Sequence, residues 1–197
     1  MRILFFLAMV VIGVSVECPA LAADKEVIIN LTQQAAYLLQ NRQVVLESPI
    51  SSGRDGWRTP TGHFHVLAKD ASHESGSFGS IRDGGGRAVN SSATPASYVP
   101  PGCRYVPAPM PYFIEFAPKV GMHAGYLPGV PASHGCVRMP RDLAAQFFAA
   151  VPVGTPVYVT GDSRQVSRLR RAMPLYANQR YTYRSRGYAA TIGTGWR

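Results

Sequence analysis

Short β-branched runs, each closed by a turn former, recur along this chain, and only one segment carries strong helical spacing; that pattern excludes most architectures. EVIINL at 26–31 and QVVLESPIS at 43–51 read as paired strands, with Gln40-Asn41-Arg42 as a polar turn between them. The intervening AAYLLQ has helical propensity, but its brevity and its strand-like flanks favour a hairpin. A Thr-Pro-Thr-Gly turn opens the strand in TPTGHFHVLAK at 59–69, and PYFIEF at 111–116, VGMHAG at 120–125 and VGTPVYVT at 153–160 continue the pattern. The single helix is expected after Pro140-Arg141-Asp142, where Leu143, Phe147 and Val151 share one face. Residues 72 to 110 are rich in Gly, Ser and Pro and read as a long irregular loop, of the kind that covers a functional site. These features predict a mainly β domain, a mixed β-sandwich with one short helix and one long loop.

The ends differ from this body. Arg2, an uncharged run from Ile3 to Val16 and the small residues Ala20 to Ala23 make residues 1–23 a secretory signal, too short in its apolar core for a membrane span. Cleavage is expected after Ala22 or Ala23, so Cys18 leaves with the signal. Glu17 is the wrong neighbour for a lipid-anchoring cysteine. The protein is thus expected to be exported to the periplasm, with residues 24–161 as one domain and 162–197 as a basic, largely disordered tail. The formal charge of +9 belongs mainly to that tail, which holds eight arginines against one acid. Its sharper use is attraction to anionic envelope polymers or membrane. Nucleic acid is not an expected partner, because the chain is exported and carries no nucleic-acid-binding motif.

Two cysteines remain in the domain, Cys103 and Cys136, and an oxidising compartment would permit a disulfide between them. Their surroundings differ. Cys103 sits in PPGCRYVP without reactive company, whereas PASHGCVRMP at 131–140 places Cys136 between His134-Gly135 and Arg138. A free thiol is mostly protonated at neutral pH and needs a base to become a nucleophile. His123, on a different strand, can meet Cys136 if GYLPGVPAS doubles the chain back. Gly135 would let its own amide and that of Cys136 face an incoming carbonyl, and Arg138 would offer a carboxylate a bidentate grip. Such a pair predicts alkylation of Cys136 well below pH 8, slowed by His123→Ala.

MHAGYLPGVPASHGCVRMP resembles the signature of the L,D-transpeptidases, the YkuD-type catalytic domain that acts on peptidoglycan. TPTGHF is similar to that family's Pro-Thr-Gly-x-Phe turn, and PYFIEF stands where its next strand falls, so the likeness covers most of residues 25–160. The resemblance implies a mixed β-sandwich fold, with Cys136 as nucleophile and His123 as proton acceptor and donor, its ring oriented by the Ala124 carbonyl. It gives Ser133, His134, Gly135 and Arg138 the shaping of the oxyanion and substrate pocket. Tyr126 lies in an interval shorter than in many members, and His73 at the mouth of the long loop edges the groove. The implied reaction attacks the third residue of a tetrapeptide stem, commonly meso-diaminopimelate, releases D-alanine, and passes the acyl group to an amine of another stem.

Water as acceptor would make the enzyme an L,D-carboxypeptidase, and a lysine of an outer-membrane lipoprotein would anchor that protein to the wall. An amidase releasing such a lipoprotein, or a non-catalytic wall-binding module, are the other readings. Carbapenems are the inhibitor class the resemblance implies. No metal or organic cofactor is implied, and His63 and His65, alternating on one strand face, are too few ligands for a zinc site.

Overall fold

The computed structural model describes residues 24–164; the signal segment and nearly all of the basic tail lie outside the described residues. The first sheet begins with β1 (Lys25–Asn30), β2 (Ala35–Gln40) and β3 (Gln43–Pro49), antiparallel neighbours in chain order. AAYLLQ is therefore a strand. Asn41 and Arg42 both take positive φ, 52° and 63°, the left-handed pair that a two-residue hairpin turn requires. On the other side of β1 the last strand, β12 (Pro156–Thr160), runs parallel to it, and β4 (Gly62–His65) completes the sheet.

Register explains the alternation in the sequence. Val27 lies opposite Leu38 and Val157, and Ile29 opposite Ala36 and Val159, so one face of three strands is apolar and fully buried. The segment read as one strand after the Thr-Pro-Thr-Gly turn is split. At Val66 and Leu67 the chain leaves the first sheet, Val66 N–H donating to Thr155 O and Leu67 N–H to Glu115 O, and continues as β5 (Ala68–Asp70) in the second. That sheet runs β11 (Val137–Met139), β10 (Val120–Ala124), β9 (Phe113–Ala117), β5, with β10 and β11 parallel. Ile114, Phe116, Met122, Val137 and Met139 face the first sheet's apolar side, and the Phe64 and Phe116 rings meet across the interface at 5.6 Å. The helix α1 (Arg141–Ala150) buries Leu143 and Phe147, and Val151, just past its end, joins the core; Asp142 in its first turn suits the helix dipole.

The irregular loop expected at 72–110 is instead a third antiparallel sheet. Its strands are β6 (Glu74–Arg82), β7 (Ala88–Ala93) and β8 (Arg104–Pro109), ordered β7-β6-β8. Its strands are polar and mostly exposed, and backbone ladders hold it with little side-chain burial beyond Ile81 and Ala93. Serine and glycine carry no strand periodicity, which is why the pattern was invisible. Met110 N–H to His73 O and Tyr112 N–H to Ala71 O tie its base to the domain.

Candidate active site

The parallel pairing of β10 and β11 sets the site. Met122 stands opposite Val137 and His123 opposite Arg138, so Cys136, the residue just before β11, lies beside the strand that carries His123. The strand pair thus carries the histidine on one strand and leads directly out of the thiol on its neighbour, the two residues lying thirteen apart in the chain.

His123 is buried, 5% exposed, and its Nδ1 lies 2.8 Å from Ala124 O. A carbonyl can only accept, so Nδ1 carries the proton and Nε2 keeps a lone pair. Burial, opposed by that bond and assisted by Arg138 and His73, lowers the ring's pKa to about 4. The imidazole is a neutral base at physiological pH. Cys136 is half-buried, and burial pushes its thiol up; a bond from Gly121 N–H and the Arg138 charge pull it down, and Glu115 raises it. At rest the thiol points at Lys119 O, 3.8 Å from Sγ. The ground state is therefore a neutral thiol and a neutral imidazole, not a thiolate and an imidazolium, and the expected alkylation well below pH 8 does not follow from it. The physical reason is that both groups are desolvated and that, among the described residues, a backbone carbonyl and not a carboxylate stands behind the histidine.

This burial has a consequence for stability. Above pH 6.5 His123 is neutral folded or unfolded. Below 6.5 the unfolded chain takes up the proton first, so stability falls as pH drops towards about 4 and then levels off. The loss should reach about 3 kcal/mol. Urea melts at pH 7 and pH 4 should show it, and His123→Gln should remove most of it; an equal pH dependence in the variant would assign the loss elsewhere.

The nucleophile loop is built by long-range hydrogen bonds. Ser133, 2% exposed, places its Oγ between Gly135 N–H, at 3.0 Å, and Cys136 O, to which it donates. Gly135 takes φ +123°, a conformation closed to side chains. Its N–H is thus engaged inside the loop, which corrects the expectation that Gly135 and Cys136 together present two free amides to a carbonyl: the serine hydroxyl claims one of them. From outside, Thr59 Oγ1 donates to Gly135 O at 2.7 Å, and Ser52 O accepts from Ala132 and Ser133 N–H. Ser51 brackets Arg138 with two backbone bonds, and Arg54 N–H reaches Ser133 O. Residues 51–59 form a splint from the first sheet to the thiol.

The remaining candidates spread around this centre. His134 stacks on Phe78 at 4.2 Å, touches Trp57 edge-on, and receives a 2.8 Å bond from Arg54 at Nε2. Arg138 is half-buried. His73 stacks on Phe113 at 4.2 Å and lies 3.3 Å from Asp70; Phe113 in turn stands 6.4 Å from His123, so His73 is separated from the centre by that ring. Tyr126 is 74% exposed. Cys103 and Cys136 are both free thiols, so the disulfide between them is not formed. His63 and His65 are exposed on β4.

Sequence reasoning missed Gly121, Lys119, Arg54, Trp57 and Phe78. Only Gly121 carried a local signal, a glycine inside an apolar strand, which marks close backbone approach. A Cβ there would stand 2.5 Å from Ile114 O and 2.6 Å from the Phe113 ring.

A model of the L,D-transpeptidase catalytic domain, YkuD, matches residues 24–159. No curated protein matches the sequence. Among solved structures, an L,D-transpeptidase from Mycobacterium smegmatis is 20% identical with a TM-score of 0.53, over 71% of this chain and 59% of that one. One from Stackebrandtia nassauensis is 18% identical, TM-score 0.53, over 76% and 61%. L,D-transpeptidase 3 of Mycobacterium tuberculosis is 20% identical, TM-score 0.51, over 71% and 62%. At these identities the likeness is one of fold, and the chain spans about three fifths of the length of those proteins. Together with the match over nearly the whole described domain, it places this chain in the L,D-transpeptidase catalytic domain family.

Proposed function

We propose that the chain is an exported peptidoglycan L,D-transpeptidase working through a Cys136 thioester. The observation that carries this reading is the neutral His123, its proton fixed on Nδ1, on the strand paired with the one that Cys136 leads into. When a stem peptide binds, the thiol turns from Lys119 O towards His123 Nε2. The ring takes the proton as Sγ attacks the carbonyl of the third stem residue. The carbon–nitrogen bond to D-alanine then breaks, and the imidazolium returns its proton to the leaving amine. An amine of a second stem gives up a proton to the same Nε2, attacks the thioester and frees the thiol. Gly121 N–H and the Arg138 charge favour sulfur as an anion, which lowers the cost of both steps.

The test is incubation of the purified protein with disaccharide tetrapeptides, with mass spectrometry of both the protein and the muropeptides. A covalent adduct at Cys136 and dimers lacking one D-alanine are expected. Shortened monomers without dimers would replace transfer with hydrolysis, and no adduct with tetrapeptide or carbapenem would end the acyl-enzyme reading.

A further inference from the structure

Arg54 lies outside the nucleophile motif, on the splint from the first sheet, and its side chain reaches across eighty residues of sequence to His134. We propose that Arg54 and Arg138 form a guanidinium clamp for a carboxylate of the bound stem peptide, with Trp57 and Phe78 as its apolar wall. This rests on the L,D-transpeptidase reading and adds the residue that selects an anionic substrate.

Three observations converge on it. First, the one hydrogen-bond partner of the Arg54 side chain is the lone pair of a neutral ring, which satisfies one N–H and none of the charge. Among the described residues, the only ion pairs join His73 to Asp70 and Arg164 to Asp162, so neither Arg54 nor Arg138 meets a carboxylate. Glu115, the acid that acts on the thiol, is engaged by Lys119 N–H at 2.8 Å.

Second, the splint fastens both residues to one loop: Ser51 brackets Arg138 with two backbone bonds, while Arg54 N–H reaches Ser133 O and its side chain reaches His134. Each guanidinium lowers the His134 pKa after burial does, and Arg54 lowers that of Arg138. Two like charges held together beside a nucleophile, without an internal acid, are stabilised by a bound anion, and the planar fork suits a carboxylate.

Third, the neighbourhood is shaped for a peptide. Phe78, from the third sheet, lies flat on His134, and Trp57 stands edge-on to both at 5.4 and 5.2 Å. The indole is 46% exposed, an apolar surface beside the clamp against which the methylenes of a diamino acid can lie. The stacking also fixes His134, so that Arg54 is held at the site by the ring it bonds.

A tetrapeptide stem offers three carboxylates, the terminal one of D-alanine, the free one of diaminopimelate and the α-carboxylate of its γ-linked D-glutamate. Full-length Cys136→Ala protein isolates binding from turnover. Its affinity should be measured by calorimetry for the free-acid stem, the terminal carboxamide, the stem amidated at diaminopimelate and the stem amidated at D-glutamate. One amidation should weaken binding roughly tenfold and so name the clamped group. Arg54→Gln should weaken the free acid by a similar factor and erase its advantage over that amide, and Arg54→Lys should keep part of it. Arg54 is exposed, so its replacement leaves the core untouched. Unchanged discrimination in Arg54→Gln, or equal binding of all four stems by the Arg54 protein, would overturn the clamp alone. Binding of none of them would overturn the stem-peptide reading and the clamp with it.

Discussion

Replacing His123 by alanine should slow acylation of Cys136 by about 10²- to 10⁴-fold at neutral pH, the usual worth of a positioned general base. Stopped-flow or timed intact-mass measurement of carbapenem acylation reads this directly, with Cys136→Ala as the zero. The pH dependence separates a base from a merely structural histidine. In the parent protein the imidazole is already deprotonated above about pH 4 and the thiol is held protonated by burial. The acylation rate should therefore rise through that region and then stay level across neutrality. In His123→Ala only the small population of free thiolate reacts, so its rate should climb with pH and the gap should close as the solution becomes alkaline. A parent rate that climbs steadily through neutrality, parallel to the variant's, would show that the imidazole does not take the proton.

What could be read from the sequence, and what could not, divides by the range of the interactions. Strands such as β1 and β12 announce themselves because Val27, Ile29, Val157 and Val159 alternate towards one core, a local property of each segment. The motif around Cys136 was legible for the same reason: Ser133, Gly135 and Cys136 form a turn whose chemistry is contained in four residues. The third sheet was not, since strands of serine, glycine and asparagine acquire their structure from ladders between distant segments. Nor was the splint, where the hydrogen bonds from Thr59 to Gly135 and from Arg54 to His134 span 76 and 80 residues. The thiol's electrostatics were misjudged on similar grounds. Neighbouring His and Arg in the sequence suggested a lowered pKa, but burial by strands from elsewhere in the chain outweighs them.

Ser133→Ala should cost acylation about 10²-fold while leaving the protein folded. The hydroxyl accepts from Gly135 N–H and donates to Cys136 O, and removing it strands a buried N–H, at about 1–3 kcal/mol, and a partly buried carbonyl, at less. The fold can bear that, because Thr59 still holds Gly135 O and Ser52 O still holds Ala132 and Ser133 N–H, so the loop stays attached at both sides. Melting should fall by several degrees. What the loop loses is the fixed turn that aims Sγ along β10, and a displacement of about 1 Å at a reacting atom is enough for the larger kinetic effect. The Gly135 amide, freed from the serine, would face the pocket in the variant, so a stabilising role for it in the transition state would partly offset the loss. A variant that melts lower yet acylates at the parent rate would show that the hydroxyl serves stability only, and that the thiol is aimed by the splint alone.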